Sequence, residues 1–340
     1  MHKFTVSVIH NAYLHPEPVA EESFSEKAVS EKIMANAEKV FTMLEKAGED
    51  GSDLICTHED FPHIGACILM FSRPDLFSAM AEKASAAIKP RLSGYARKYR
   101  AYISANHFEA GGGKIYNVST LYGRDGGIAG IYRKVHLAPC ERWMVTPGDS
   151  FPVFETDFGR VGFCVCYDMI FPETCRILAL NGADIVIHQT QGWGVAGKAE
   201  PAVGDAMMRA RAAENSVYLI IAKNIQGEAE DGGRSMVVDN SGNVAAETEK
   251  TREAVLRVEL EADFDMLAPY NLNSLYSGVD SVRARQVLAR RPELYGAFTA
   301  ENPEIVCRYE GAALNDYSKG KKVIEAWDIK TDGEKEKFYW

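Results

Sequence analysis

Three short segments carry the residue types that bond-breaking chemistry needs. In the first, Thr57-His58-Glu59-Asp60-Phe61-Pro62, two carboxylates directly follow an apolar run and so stand at its C-terminal rim, the usual place of an α/β active site. The second, Ile131-Tyr132-Arg133-Lys134-Val135-His136-Leu137, closes another strand-like run with cations. The third is Gly162-Phe163-Cys164-Val165-Cys166-Tyr167-Asp168. There an apolar strand ends at Cys166 and turns toward a helix opened by Pro172, the geometry that exposes a nucleophile. A thiol with an ordinary pKa of about 8.5 is only a few per cent thiolate at neutral pH, so Cys166 needs a base or a cation beside it. Glu59 and Lys134 offer one each. Taken singly, the first segment also reads as a helix cap and the second as a solvated strand end.

The elements that must bring these segments together follow from periodicity. Strands are expected at Thr5 to Ile9, Asp53 to Thr57, Tyr102 to Ala105, Ile115 to Tyr122 and Ile128 to Tyr132, with amphipathic helices over about 28–49 and 77–99. The turn Gly123-Arg124-Asp125-Gly126-Gly127 makes the last two strands a hairpin. Val161 to Cys166 reads as a buried strand. Pro172 opens a helix that Gly182 closes, Asp184 to His188 follows as a strand, and Pro201 opens a helix through Glu214. Val217 to Ala222 is the next strand, and Ser235 to Asp239, Asn243 to Ala246 and Ala254 to Val258 form a meander. This pattern predicts one α/β domain over residues 1–262, with mixed strand pairing and two sheets' worth of strands. Residues 263–340 read as a C-terminal extension with one helix at Ser281 to Ala289. Its Trp327, Ile329, Phe338 and Trp340 are expected to dock on the domain or on a partner subunit, because leaving each in water forfeits about 1.5–3 kcal/mol.

Composition excludes several classes. Asp plus Glu outnumber Lys plus Arg by 48 to 38, and the formal charge of −10 argues against nucleic acid as a partner. The longest strongly apolar stretch, near Val217 to Ala222, is far short of the roughly 20 residues that cross a bilayer, so no membrane association is expected. Met1-His2-Lys3-Phe4 runs straight into a strand pattern without the features of a secretory signal. Seven cysteines are an odd number in a chain of 340 residues that needs no staples, which points to a reducing cytoplasm.

Together the segments resemble the nitrilase, or carbon–nitrogen hydrolase, superfamily, whose signature is an ordered Glu, Lys and Cys. Glu59 and Lys134 are 75 residues apart, and Lys134 and Cys166 are 32 apart, both of the size associated with that family. The likeness extends to the hairpin from Asn117 to Asp125, to Glu141 and Pro147-Gly148, to Phe171-Pro172-Glu173, to Arg176 through Asp184 and to Arg211-Ala212-Ala213-Glu214-Asn215, covering about residues 4–260. One departure stands at the glutamate, which the family usually precedes with proline and which here is His58-Glu59-Asp60. Asp60 adds a second carboxylate; Glu59 occupies the family's position.

The resemblance implies a four-layer α-β-β-α sandwich, assembly into a homodimer or larger homo-oligomer, and hydrolysis of a non-peptide C–N bond without metal or organic cofactor. It assigns the nucleophile to Cys166, the base to Glu59, charge balance to Lys134, an oxyanion-holding N–H to Tyr167 and a supporting carboxylate to Glu141. Tyr167-Asp168 looks more like the amidase and N-carbamoyl amidohydrolase branches than the Trp-Glu of nitrile hydrolysers, so a small amide or ureido compound is the expected substrate. A nitrilase, or a catalytically silent scaffold of the same fold, is the alternative. His63, Asn106, Trp143, Gln189 and Trp193 stand near predicted strand ends and are candidate pocket residues.

Other chemistries fit the same residues less well. A papain-like pair could recruit His136 or His188 but leaves the ordered Glu and Lys unexplained. Cys164, Cys166 and Cys175 do not make a zinc site, since Cys164 and Cys166 are expected on one face of a buried strand with no second close pair. His58 and His63 are five apart and Pro62 interrupts any helix that would align them. Gly111-Gly112-Gly113-Lys114 precedes Ile115 rather than Ser or Thr and reads as a turn.

Overall fold

A computed structural model describes residues 3–14, 25–65, 73–191, 201–225, 233–261 and 281–300. The chain divides into two units, one built on residues up to Phe264 and the other on Asp265–Lys335.

The first unit holds two six-stranded sheets among the described residues. One sheet has the order β12-β1-β2-β3-β4-β5, from β12 (Ala254–Glu261), β1 (Lys3–His10), β2 (Leu54–Cys56), β3 (Tyr102–Gly111), β4 (Lys114–Tyr122) and β5 (Ile128–Arg133). The other runs β11-β10-β9-β8-β7-β6, from β11 (Val244–Glu247), β10 (Met236–Val238), β9 (Tyr218–Lys223), β8 (Ile185–Thr190), β7 (Gly159–Val165) and β6 (Val153–Thr156). In each sheet the central strands are parallel, β1-β2-β3 and β7-β8-β9, and the flanking ones antiparallel. Pairing is therefore mixed, as the sequence predicts.

Why the sheets stack is visible in residue parity. Phe4, Val6 and Val8 of β1, Leu54 and Cys56 of β2, Val161, Phe163 and Val165 of β7, and Ile185 and Ile187 of β8 all point into one buried cluster between the sheets. Their alternates face outward: Ile9, Ile55 and Ile103 meet α1 (Glu26–Glu49) and α2 (Pro74–Tyr99), while Cys164, Val186, Leu219 and Ile221 meet α3 (Pro172–Leu180) and α4 (Pro201–Asn215). Both faces of every central strand are buried, which is why these strands read as continuous apolar runs. The outcome is the four-layer α-β-β-α sandwich. Ser25 caps α1 by accepting from the Ala28 N–H, and prolines open α2 and α3 where the missing N–H costs nothing.

Two features depart from the sequence reading. β3 continues past Ala105 to Gly111, because its polar residues Asn106, His107 and Glu109 pair with β4 in full register and are carried by that ladder. The edge strand β6, only four residues and half-buried, has too little apolar alternation to be seen. In the second unit, α5 (Val282–Leu288) is capped by Ser281, and single turns follow at Pro292–Leu294 and Gly296–Phe298. Trp193, Cys67, Cys307 and the apolar residues Trp327, Ile329, Phe338 and Trp340 lie outside the described residues.

Candidate active site

The three segments meet at the C-terminal ends of β2, β5 and β7. Glu59 follows β2, Lys134 follows β5, and Cys166 follows β7 at the start of a single helical turn, Cys166–Ile170. Cys166 has φ +46°, a left-handed conformation that ends the pleat and turns the thiol away from the strand. The expectation that Cys164 and Cys166 share a face is corrected here: Cys164 packs outward against α3, whereas Cys166 packs against the core between the sheets.

Lys134 is 1% exposed, and its ammonium lies 2.9 Å from Oε1 of Glu59 and 2.7 Å from Oε2 of Glu141. Burial works against its charge, but the two glutamates hold its pKa well above the ordinary value. Burial likewise pushes Glu141 up, with Lys134 pulling the other way. The amide of Asn117 donates 2.9 Å to Oε1 of each glutamate, so one side chain fixes both carboxylates around the lysine. Oε2 of Glu141 also accepts from the Ala138 N–H at 2.8 Å. Oε2 of Glu59, the oxygen that Lys134 leaves open, accepts from the Gln191 N–H at 3.1 Å.

Cys166 stands within electrostatic reach of the whole group. Burial and the negative charge of Glu59 push its thiol up to about 12, against the pull of Lys134 and of a hydrogen bond from Thr190. The resting sulfur therefore keeps its proton, and any reaction at this sulfur must first find a group to take it. The competing histidines are otherwise engaged: His136 Nδ1 contacts Oδ1 of Asp168 at 2.9 Å, and His188 Nδ1 contacts the Cys164 carbonyl at 3.2 Å.

The remaining candidates separate. Tyr167 directly follows the cysteine inside the single turn, where first-turn N–H groups have no partner within the helix. Its ring packs edge-on against Phe171. Asn106 spends its amide inside the fold, accepting from the Asp60 N–H and donating to Asn117 and Ser119. Gln189 does the same with Thr57 and Ser119. Both are fully buried and spend their amides on the strands that frame the site. His63 is half-buried with its ring on Tyr13, and Trp143 is half-buried in the turn Glu141–Trp143. Asp60, pushed up to about 7 by burial, accepts from the N–H groups of Ile64 and Gly65 and shapes the loop after Glu59. Sequence reasoning missed Asn117 as the clamp and the Gln191 N–H. Asn117 lies in a segment already singled out, but nothing local says which way an amide on a strand will point.

Comparison with known proteins fits this arrangement. The carbon–nitrogen hydrolase family profile matches residues 22–265, and the chain belongs to that family. It is thus an enzyme of the carbon–nitrogen hydrolase class. A probable nitrilase of Schizosaccharomyces pombe is 34% identical over 151 residues, which are 44% of this chain and 54% of that one, so this match spans only about half of the yeast protein. A citrullinase of Francisella tularensis is 29% identical over 280 residues, covering 76% of this chain and 91% of its own. Among solved structures, a carbon–nitrogen hydrolase from Helicobacter pylori superposes with a TM-score of 0.68 at 24% identity, over 88% of this chain and 99% of that one.

Proposed function

We propose that this carbon–nitrogen hydrolase cleaves a small amide or N-carbamoyl compound through a thioester on Cys166. The observation that carries the reading is the burial of Lys134 between Glu59 and Glu141, beside a thiol that retains its proton. Glu59 accepts the thiol proton as the C–S bond forms, and the carbonyl oxygen takes the negative charge toward the Lys134 ammonium and the Tyr167 N–H. Glu59 returns the proton to nitrogen as the C–N bond breaks, releasing ammonia or an amine. Water then adds to the thioester carbonyl, gives a proton to Glu59, and the sulfur leaves and is reprotonated. Glu141 keeps Lys134 charged and in place throughout.

Support for an amide or ureide over a nitrile comes from two sides. Such a carbonyl already has the oxygen that this cation and N–H would hold, whereas a nitrile develops its charge on nitrogen. The citrullinase relative points the same way, citrulline being a ureido compound. The yeast relative named as a probable nitrilase favours the second reading. Ammonia release from matched amides, ureido acids and nitriles, with Cys166→Ala as blank, decides between them. Amides or ureides should turn over well above their matched nitriles; faster nitriles would overturn the substrate class.

A further inference from the structure

The mechanism leaves one buried cation unused. Lys223, the last residue of β9, is 1% exposed, and its ammonium donates to two backbone carbonyls, Gln191 at 2.8 Å and Asn224 at 3.3 Å. Among the described residues no carboxylate forms an ion pair with it. An ammonium placed in a core without a carboxylate is unfavourable, and a plain packing role would be filled better by an apolar side chain. The strand register explains what this position reaches. Lys223 sits beside Thr190 across β8 and β9, Thr190 hydrogen-bonds the Cys166 thiol, and the next residue, Gln191, gives its N–H to Oε2 of Glu59. Gln191 is thus gripped from both ends, its N–H by the base and its carbonyl by Lys223.

The groups facing this ammonium come from three elements. They are Glu59 after β2, whose negative charge favours it, Cys166 after β7, whose thiolate would favour it once formed, and the neutral rings of His10 on β1 and His58 after β2. Lys134 alone is one positive charge against two glutamates. Lys223, linked to Glu59 through Gln191, adds a second positive charge to the set.

We propose that Lys223 is a positioning residue for the proton transfer: it anchors Gln191 so that Oε2 of Glu59 is held toward Cys166, and its charge eases formation of the thiolate. The inference rests on the reading in which Glu59 and Cys166 exchange a proton. It also predicts its own pH window, since burial pushes Lys223 down to about 7, so the ammonium is present below that pH and lost above it.

The test is the rate at which iodoacetamide alkylates Cys166, followed by mass at that residue from pH 6 to 9. Cys56, Cys164 and Cys175 are buried and serve as internal references. At pH 6.5 a folded Lys223→Met protein should react about tenfold more slowly than wild type, the equivalent of one pH unit in the thiol's titration, and the gap should narrow above about pH 7. The wild-type profile should flatten near pH 7. If Lys223→Met does not fold, Lys223→Gln, which keeps N–H donors and loses the charge, is measured instead. A folded variant that matches wild type, one slowed by the same factor at every pH, or a wild-type profile with unit slope throughout overturns the proposal. Alkylation needs no substrate, so a protein that hydrolyses nothing in the amide panel still reports on the role of Lys223.

Discussion

The Tyr132 hydroxyl donates to Oδ2 of Asp168 at 2.6 Å, and that contact joins β5, which runs into Lys134, to the turn that begins with Cys166. The same carboxylate accepts from the Val165 N–H at 2.9 Å and from the His136 N–H at 2.8 Å, and His136 Nδ1 lies at 2.9 Å. Asp168 is fully buried and ties the Cys166 turn to the strand end that carries Lys134. Asp168→Asn turns one of its acceptors into a donor facing donors. We expect a loss of about 2–4 kcal/mol in urea unfolding together with a large fall in turnover, whereas Tyr132→Phe should cost only about 1 kcal/mol. An Asn variant as stable as Tyr132→Phe would remove Asp168 from this role.

Gly148 has a similar positional task. Its N–H donates to the Lys134 carbonyl at 2.8 Å, and a Cβ there would lie 2.1 Å from the carbonyl oxygen of Arg133. That oxygen is backbone and cannot swing aside, so Gly148→Ala must displace the segment that carries Lys134. Turnover should fall by about tenfold or more, since small misplacements of catalytic groups are costly. Gly94→Ala in α2, where nothing stands within 4 Å of the new methyl, should leave turnover unchanged and add about 0.5–1 kcal/mol of stability. Equal activity in the two variants would contradict the tight packing at Gly148.

What could be read from the sequence was whatever is periodic or local. The apolar runs of β1, β2, β7 and β8, the prolines opening α3 and α4, and the elbow at Cys166 are all written in a few adjacent residues. Long-range choices are not. Whether Asn106 and Gln189 line a cavity or brace the base depends on which strand lies opposite, and only the β3–β4 register and the approach of the second sheet direct their amides to Asn117, Ser119 and Thr57. Lys223 reads locally as a charged strand end; its backbone partners, His10 on β1 and Ser235, lie in other segments of the chain.

Acid should weaken the fold through its histidines. Burial pushes His58 down to about 3 and His188 down to about 4, from an ordinary 6.5. In the unfolded chain both take up protons near 6.5, so the stability they contribute is full above that pH and drains as pH falls toward 4. Asp60, pushed up to about 7, acts in the opposite sense over the same range, because the folded state holds its proton more tightly. Burial pushes His10 and His107 down as well, so four histidines act in this sense against the raised carboxyls of Asp60 and Glu141, and stability should fall as pH drops from 6.5 to 5. Urea unfolding at pH 7, 6 and 5 measures this slope. His188→Gln should flatten it, and an identical slope in that variant would show that His188 titrates normally.

The sharpest separation lies between two cysteines only two residues apart. Cys164 sits on β7 with its side chain among Met169, Cys175 and Leu178, sealed from the site, and burial pushes its thiol well above the ordinary range. Cys166 has left the strand and faces Glu59, Lys134 and Glu141. Cys166→Ala and Cys166→Ser should fold and lose on the order of 10^3-fold or more in turnover, the scale of removing a nucleophile. Cys164→Ala should remain active and show its effect in the melting temperature, as a small cavity in the outer core. Rapid quench of wild-type protein with a good amide substrate should add the acyl mass to the peptide bearing Cys166 and leave Cys164 unmodified. If Cys164→Ala loses activity as fully as Cys166→Ala while keeping its melting temperature, or the acyl group appears elsewhere, the nucleophile has been assigned to the wrong sulfur.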